Sequence, residues 1–163
     1  MNILYLSKEM SNYHGASYQY EFKKELSNQI NIIEYGPGFG LYSPQDTFED
    51  IQKKIDKKID LIIFGHSYLS DTSGNFKEIL PNIYSSNFKK IPKVLFLNKE
   101  YVNLKYKLRF ITTNNINLCF THHHEYKKYE NLTKTKFIFL PFAVNFDDFF
   151  KNAKIKKYEL GFS

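Results

Sequence analysis

The chain has 163 residues, 42% of them hydrophobic and 18% aromatic, which at about 150 residues per domain makes one domain with material for a sizeable core and excludes wholesale disorder. Its apolar runs, such as Phe137 to Val144, fall far short of the roughly 18 residues of a membrane span, so no transmembrane segment is expected. The net charge of +6 comes from 23 basic residues of which only Arg109 is an arginine; paired lysines on solvated helix faces explain it, and so little Arg argues against specific nucleic-acid recognition.

The first apolar run, Asn2 to Leu6, follows no basic leader and is too short for a signal peptide, which predicts a cytoplasmic protein. It is a strand candidate. Tyr18, Phe22 and Leu26 then share one helical face, ahead of a second strand over Ile30 to Tyr35. Ser43-Pro44-Gln45-Asp46 carries start signals for a helix whose apolar face is Phe48, Ile51 and Ile55. A third strand follows at Asp60 to Gly65, after which Pro81 splits the next helical segment. Lys93 to Asn98 reads as strand four. Tyr101, Leu104, Leu108 and Ile111 form the next helical face, and strands five and six fall at Ile116 to Thr121 and Phe137 to Pro141. Strand starts lie 21 to 33 residues apart, the length of a strand plus a crossover helix, and continuous apolar runs suit strands covered on both faces. The expected fold is α/β: a single Rossmann-like, doubly wound domain with a mostly parallel six-stranded sheet flanked by helices.

In such a sheet the strands' carboxyl ends share one edge, and ligands bind there. The polar residues of interest follow the strands: Ser7-Lys8-Glu9 and His14-Gly15 after the first, Gly36 to Gly40 after the second, Gly65-His66-Ser67 after the third, Asn98-Lys99-Glu100 after the fourth, and His122-His123-His124 after the fifth. Gly36, Gly38 and Gly40 do not match the dinucleotide fingerprint, and there is no Walker A sequence, nucleophile elbow or Asp-x-Asp pair. No metal site is expected, because consecutive histidines leaving a strand point to different sides. The single cysteine, Cys119, allows neither a disulfide nor a thiolate metal site, and reads as a small buried hydrophobe.

Four segments together, Asp60-Leu-Ile-Ile-Phe-Gly-His66, Ile91-Pro-Lys-Val-Leu-Phe-Leu-Asn-Lys-Glu100, Leu118-Cys-Phe-Thr-His-His-His124 and Phe137-Ile-Phe-Leu-Pro-Phe-Ala-Val-Asn-Phe-Asp-Asp-Phe149, resemble the N-terminal, acceptor-side domain of GT-B glycosyltransferases. The resemblance is nearest the CgeB-like, group 1 branch; Asn145 stands where an Asp is usual. It implies residues 1–150 as this domain and 151–163 as a linker or the start of a second, donor-binding domain. It further implies transfer from a nucleotide-sugar co-substrate to a glycan or small-molecule acceptor, with no metal or other cofactor. The donor half would be a C-terminal domain or a separate chain, and the isolated chain would be inactive without it. His14 and Gly15 match the loop after the first strand, His66 the polar residue closing the third, Asn98 a position often held by histidine, and His122 and His123 the place of a common serine. With Lys99 these form the expected acceptor-binding set, while Glu100 and His66 are the expected catalytic residues. Glu100 is the candidate general base if the enzyme inverts. Two other readings are a non-catalytic flavodoxin-like or receiver-like binding module, for which the receiver's acidic cluster and phosphorylatable Asp are missing, and a nonspecific nucleic-acid binder using Lys and Tyr.

Overall fold

A computed structural model describes residues 1–11, 17–69 and 79–141, the side chains of residues 17 and 18 aside. Among the described residues, β1 (Asn2–Leu6), β2 (Asn31–Tyr35), β3 (Leu61–Phe64), β4 (Lys93–Leu97), β5 (Leu118–Thr121) and β6 (Lys136–Phe139) alternate with α1 (Ser17–Gln29), α2 (Phe48–Ile55), α3 (Ser86–Lys90), α4 (Leu104–Thr113) and α5 (Tyr126–Thr133). All neighbouring strands pair in parallel, in the order β2-β1-β3-β4-β5-β6. The α/β, doubly wound fold expected from the sequence is therefore present, with the order reversing between β1 and β3.

The alternation of side chains along a strand divides the core into two layers. Leu4, Leu6, Ile62, Phe64, Leu95, Leu97 and Cys119 face α2, α3, α4 and α5, which contribute Phe48, Ile51, Phe88, Phe110, Ile111 and Tyr129. Ile3, Tyr5, Ile63 and Phe96 face the other way, where Phe22 and Leu26 of α1 pack. Each such large apolar side chain, fully buried, contributes about 1.5–3 kcal/mol. Cys119 is buried, and burial pushes its thiol well above the ordinary range, as befits a small hydrophobe and not a nucleophile.

Two helix starts differ from the sequence reading. The cap of α2 is Thr47, whose hydroxyl accepts from the Asp50 backbone while the Asp50 carboxylate takes the Thr47 backbone N–H, a reciprocal capping box one residue beyond Asp46. Tyr101 is not on the α4 face: Asn103 adopts a left-handed φ of 51° just ahead of Leu104, and Tyr101 stands 84% exposed in the preceding turn. No helix among the described residues is long and apolar enough to cross a membrane. The proposed domain boundary at residue 150 lies outside the described residues.

Candidate functional site

The carboxyl ends of the first three strands are stitched into one surface. Ser7 N–H donates to Tyr35 O at 3.1 Å, Glu9 N–H to Pro37 O at 2.8 Å, and Gly65 N–H to Leu6 O at 2.9 Å. Lys8 N–H donates to Ser67 Oγ at 2.8 Å, joining the exits of β1 and β3 across the point where strand order reverses. Between them lies a narrow crevice lined by Tyr5, Ser7, Lys8, Lys23, His66 and Ser67, with about 10 Å³ of internal space, room for roughly one water. His14 and Gly15, assigned from the sequence to the same region, lie outside the described residues.

His66 leaves β3 and His122 leaves β5, and their rings stack 5.5 Å apart with 13° between planes. Phe96 of the intervening β4 stacks on His66 at 4.6 Å, and Phe22 of α1 meets it edge-on at 5.9 Å. His66 is only 3% exposed. Burial among these rings, with His122 adding a smaller effect, lowers its pKa to about 3, so it stays neutral at physiological pH. His122 Nδ1 sits 2.5 Å from Leu140 O; a carbonyl only accepts, so that nitrogen carries the proton. His123 takes the opposite direction, towards Tyr129 of α5 at 5.7 Å, and its Nδ1 accepts from Glu125 N–H at 3.2 Å. Consecutive histidines thus fall on opposite sides of the strand end. His66 and His122 share a location, and His123, stacked on His124 at 4.9 Å, borders another.

The exit of β4 carries Asn98, Lys99 and Glu100. Asn98 and Glu100 are buried, and Thr121 at the end of β5 donates its hydroxyl to Glu100 Oε1. Asn98 Oδ1 accepts from Lys99 N–H at 2.9 Å, and Lys99 is left-handed at φ 51°. This turn is pinned from below by Lys107 of α4, a fully buried lysine whose Nζ donates to Asn98 O at 2.7 Å and Lys99 O at 2.8 Å. A buried ammonium is costly unless its protons are taken up, so turn and lysine specify each other. Lys107→Met is expected to remove about 3 kcal/mol of stability and to speed amide exchange from Asn98 to Tyr101. Unchanged exchange there would show that the turn holds itself.

Two polar clusters escaped the sequence reading. Lys107 lies in register with Leu104, Leu108 and Ile111, and a lysine on an apolar helical face was the available signal. The other cluster has no such signal. The Tyr35 hydroxyl donates to Asp46, to which Lys54 Nζ also donates at 2.6 Å while reaching Leu41 O at 3.2 Å. This cluster ties the loop after β2 to α2, and the hydrogen bond to Asp46 raises the Lys54 pKa.

Among the described residues no three His, Cys, Asp or Glu side chains group as a metal site would require. What the edge offers is a buried neutral imidazole, a second imidazole, an amide, a carboxylate and a lysine on three adjacent strand ends: hydrogen-bonding groups of both senses beside aromatic surface. Comparison with known proteins gave no match, whether with family models, curated proteins or solved structures.

Proposed function

We propose that this chain is the acceptor-binding half of a cytoplasmic, metal-independent glycosyltransferase of GT-B type, taking a glycan or small-molecule acceptor at the carboxyl edge of its sheet. The observation that carries this reading is that His66, Asn98, Lys99, Glu100 and His122 follow the ends of three adjacent strands, β3, β4 and β5, at one edge of the sheet, with His66 and His122 stacked and Glu100 held by Thr121. A polyhydroxylated acceptor needs convergent donors and acceptors beside apolar ring surface. Glu100 is the base in this reading. Its Oε1 accepts from Thr121, and Oε2 is the oxygen assigned to the acceptor hydroxyl. His66, neutral and stacked, serves as a ring wall and hydrogen-bonding partner and not as a cation. The nucleotide sugar belongs to a second, donor-binding domain or separate chain, whose groups stabilise the leaving diphosphate.

The test is a titration of the chain by NMR with mono- and oligosaccharides, paired with calorimetry against uridine, guanosine and thymidine diphosphate sugars. An acceptor is expected to shift amides at 66–67, 98–100 and 121–123, with nucleotide sugars binding weakly or not at all. Low-micromolar affinity for a nucleotide sugar would overturn the division of labour. A second reading, a flavodoxin-like binding module without catalysis, is favoured by one observation. The order β2-β1-β3-β4-β5-β6 is the flavodoxin-like order extended by one strand, with a crevice at its switch point. Flavin mononucleotide shifting Ser7, Lys8 and Ser67 would favour it over the first.

A further inference from the structure

Among the described residues, the helical layer over β3 and β4 leaves a groove. α3 has 5 residues against 10 in α4, and a groove of about 320 Å³ runs between the two helices. Its floor is aromatic: Phe110 is buried and meets Tyr84 at 6.3 Å, and Phe88 meets Tyr84 from the α3 side at 5.4 Å. Its rim is cationic and aromatic, with Lys89 on α3 and Tyr106 and Arg109 on α4, and among the described residues no carboxylate lines it.

Basic residues near helix C-termini ordinarily serve the terminal carbonyls. Here other groups do that. Lys93 Nζ donates to Lys89 O at 3.2 Å and Ile91 O at 2.6 Å, and Asn114 Nδ2 donates to Phe110 O at 3.0 Å. Among the described residues, neither Lys89 nor Arg109 makes an ion pair or a side-chain hydrogen bond. Arg109 is also the one arginine in a chain that otherwise uses lysine for every cation. A guanidinium differs from an ammonium in offering a planar fork to an oxyanion and a flat face to a ring.

We propose that this groove is a binding site for an anion of the nucleoside monophosphate class, its planar base against Tyr84 and Tyr106 and its phosphate on Arg109 and Lys89. The volume suits a ligand of that size, at the lower end of the roughly 300–1,000 Å³ typical of small-molecule sites. Stacking on tyrosine tolerates any base, whereas the phosphate supplies the charge match. The groove lies in the helical layer and is independent of the carboxyl edge and of the function proposed there.

The experiment is an NMR titration of the whole chain with adenosine 5′-monophosphate, with adenosine and inorganic phosphate in parallel. The nucleotide is expected to give saturable shifts at Lys89, Arg109, Thr113 and Asn114, and to bind more tightly than either fragment. Arg109→Ala should weaken it by about tenfold or more, and Arg109→Lys by less, since lysine restores the charge but not the fork. Arg109 is exposed, so both variants should keep the parent melting temperature. Shifts that fail to saturate, shifts confined to the Ser7 and Ser67 crevice, or equal affinity in Arg109→Ala would overturn the proposal.

Discussion

Gly36→Ala is expected to destabilise the chain by about 3 kcal/mol or more, the largest effect anticipated for any single methyl group in this fold. Gly36 has φ +149°, a conformation that side chains rarely adopt, and a Cβ there would lie 1.9 Å from Ser7 O. Neither problem yields to a rotamer change. The obstacle is the backbone of the β1 exit, held in turn by the Ser7 N–H to Tyr35 O bond. Relief would require the exits of β1 and β2 to part, breaking that bond. Gly40→Ala is the control, because a methyl group there would meet nothing within 4 Å and no unusual φ is needed; it should be neutral or slightly stabilising. Urea unfolding of both variants decides the matter. An unshifted midpoint for Gly36→Ala would mean that the two exits are not in contact.

The second large effect is a pH dependence centred on His66. Its folded pKa, about 3, is below the value near 6.5 of an unfolded histidine. The unfolded chain therefore binds a proton that the folded chain refuses. The stability this contributes is fully present above about pH 6.5 and is lost as pH falls towards 3; by about pH 5 the loss is roughly 2 kcal/mol. Most carboxylates are still ionised there, so the window reports on the histidines, and comparison with a His66 variant singles out this one. Denaturant unfolding between about pH 7.5 and pH 5 should show the decline in the parent chain and a flatter profile in His66→Phe, which keeps a ring against Phe96 and His122. Equal slopes in the two proteins would mean that His66 is protonated in the folded state and that its stacked, buried position is wrong.

The apolar runs and their spacing were enough to read six strands and a parallel, doubly wound sheet, because a strand buried on both faces must be apolar nearly throughout. The polar residues after each strand followed from the same reading. A parallel sheet has only one carboxyl edge, so His66, Asn98, Glu100 and His122 had to fall along that edge once the strands were right. Strand order was not legible: every permutation of parallel strands joined by crossover helices shows the same alternation along the chain. The tertiary structure decided that β1 lies between β2 and β3, and hence which two exits form the crevice. It also decided what the site groups are chemically. A histidine following a strand can be a solvated base or a buried neutral ring, and only the packing of Phe22, Phe96 and His122 makes His66 the latter. Glu100 is held by Thr121, and the turn before it by Lys107. These are partners from different elements, set by three-dimensional proximity that periodicity within one helix or strand does not encode. Local pattern determined what each segment becomes; the order in which the segments pack determined which side chains lose water, and so which of them can do chemistry.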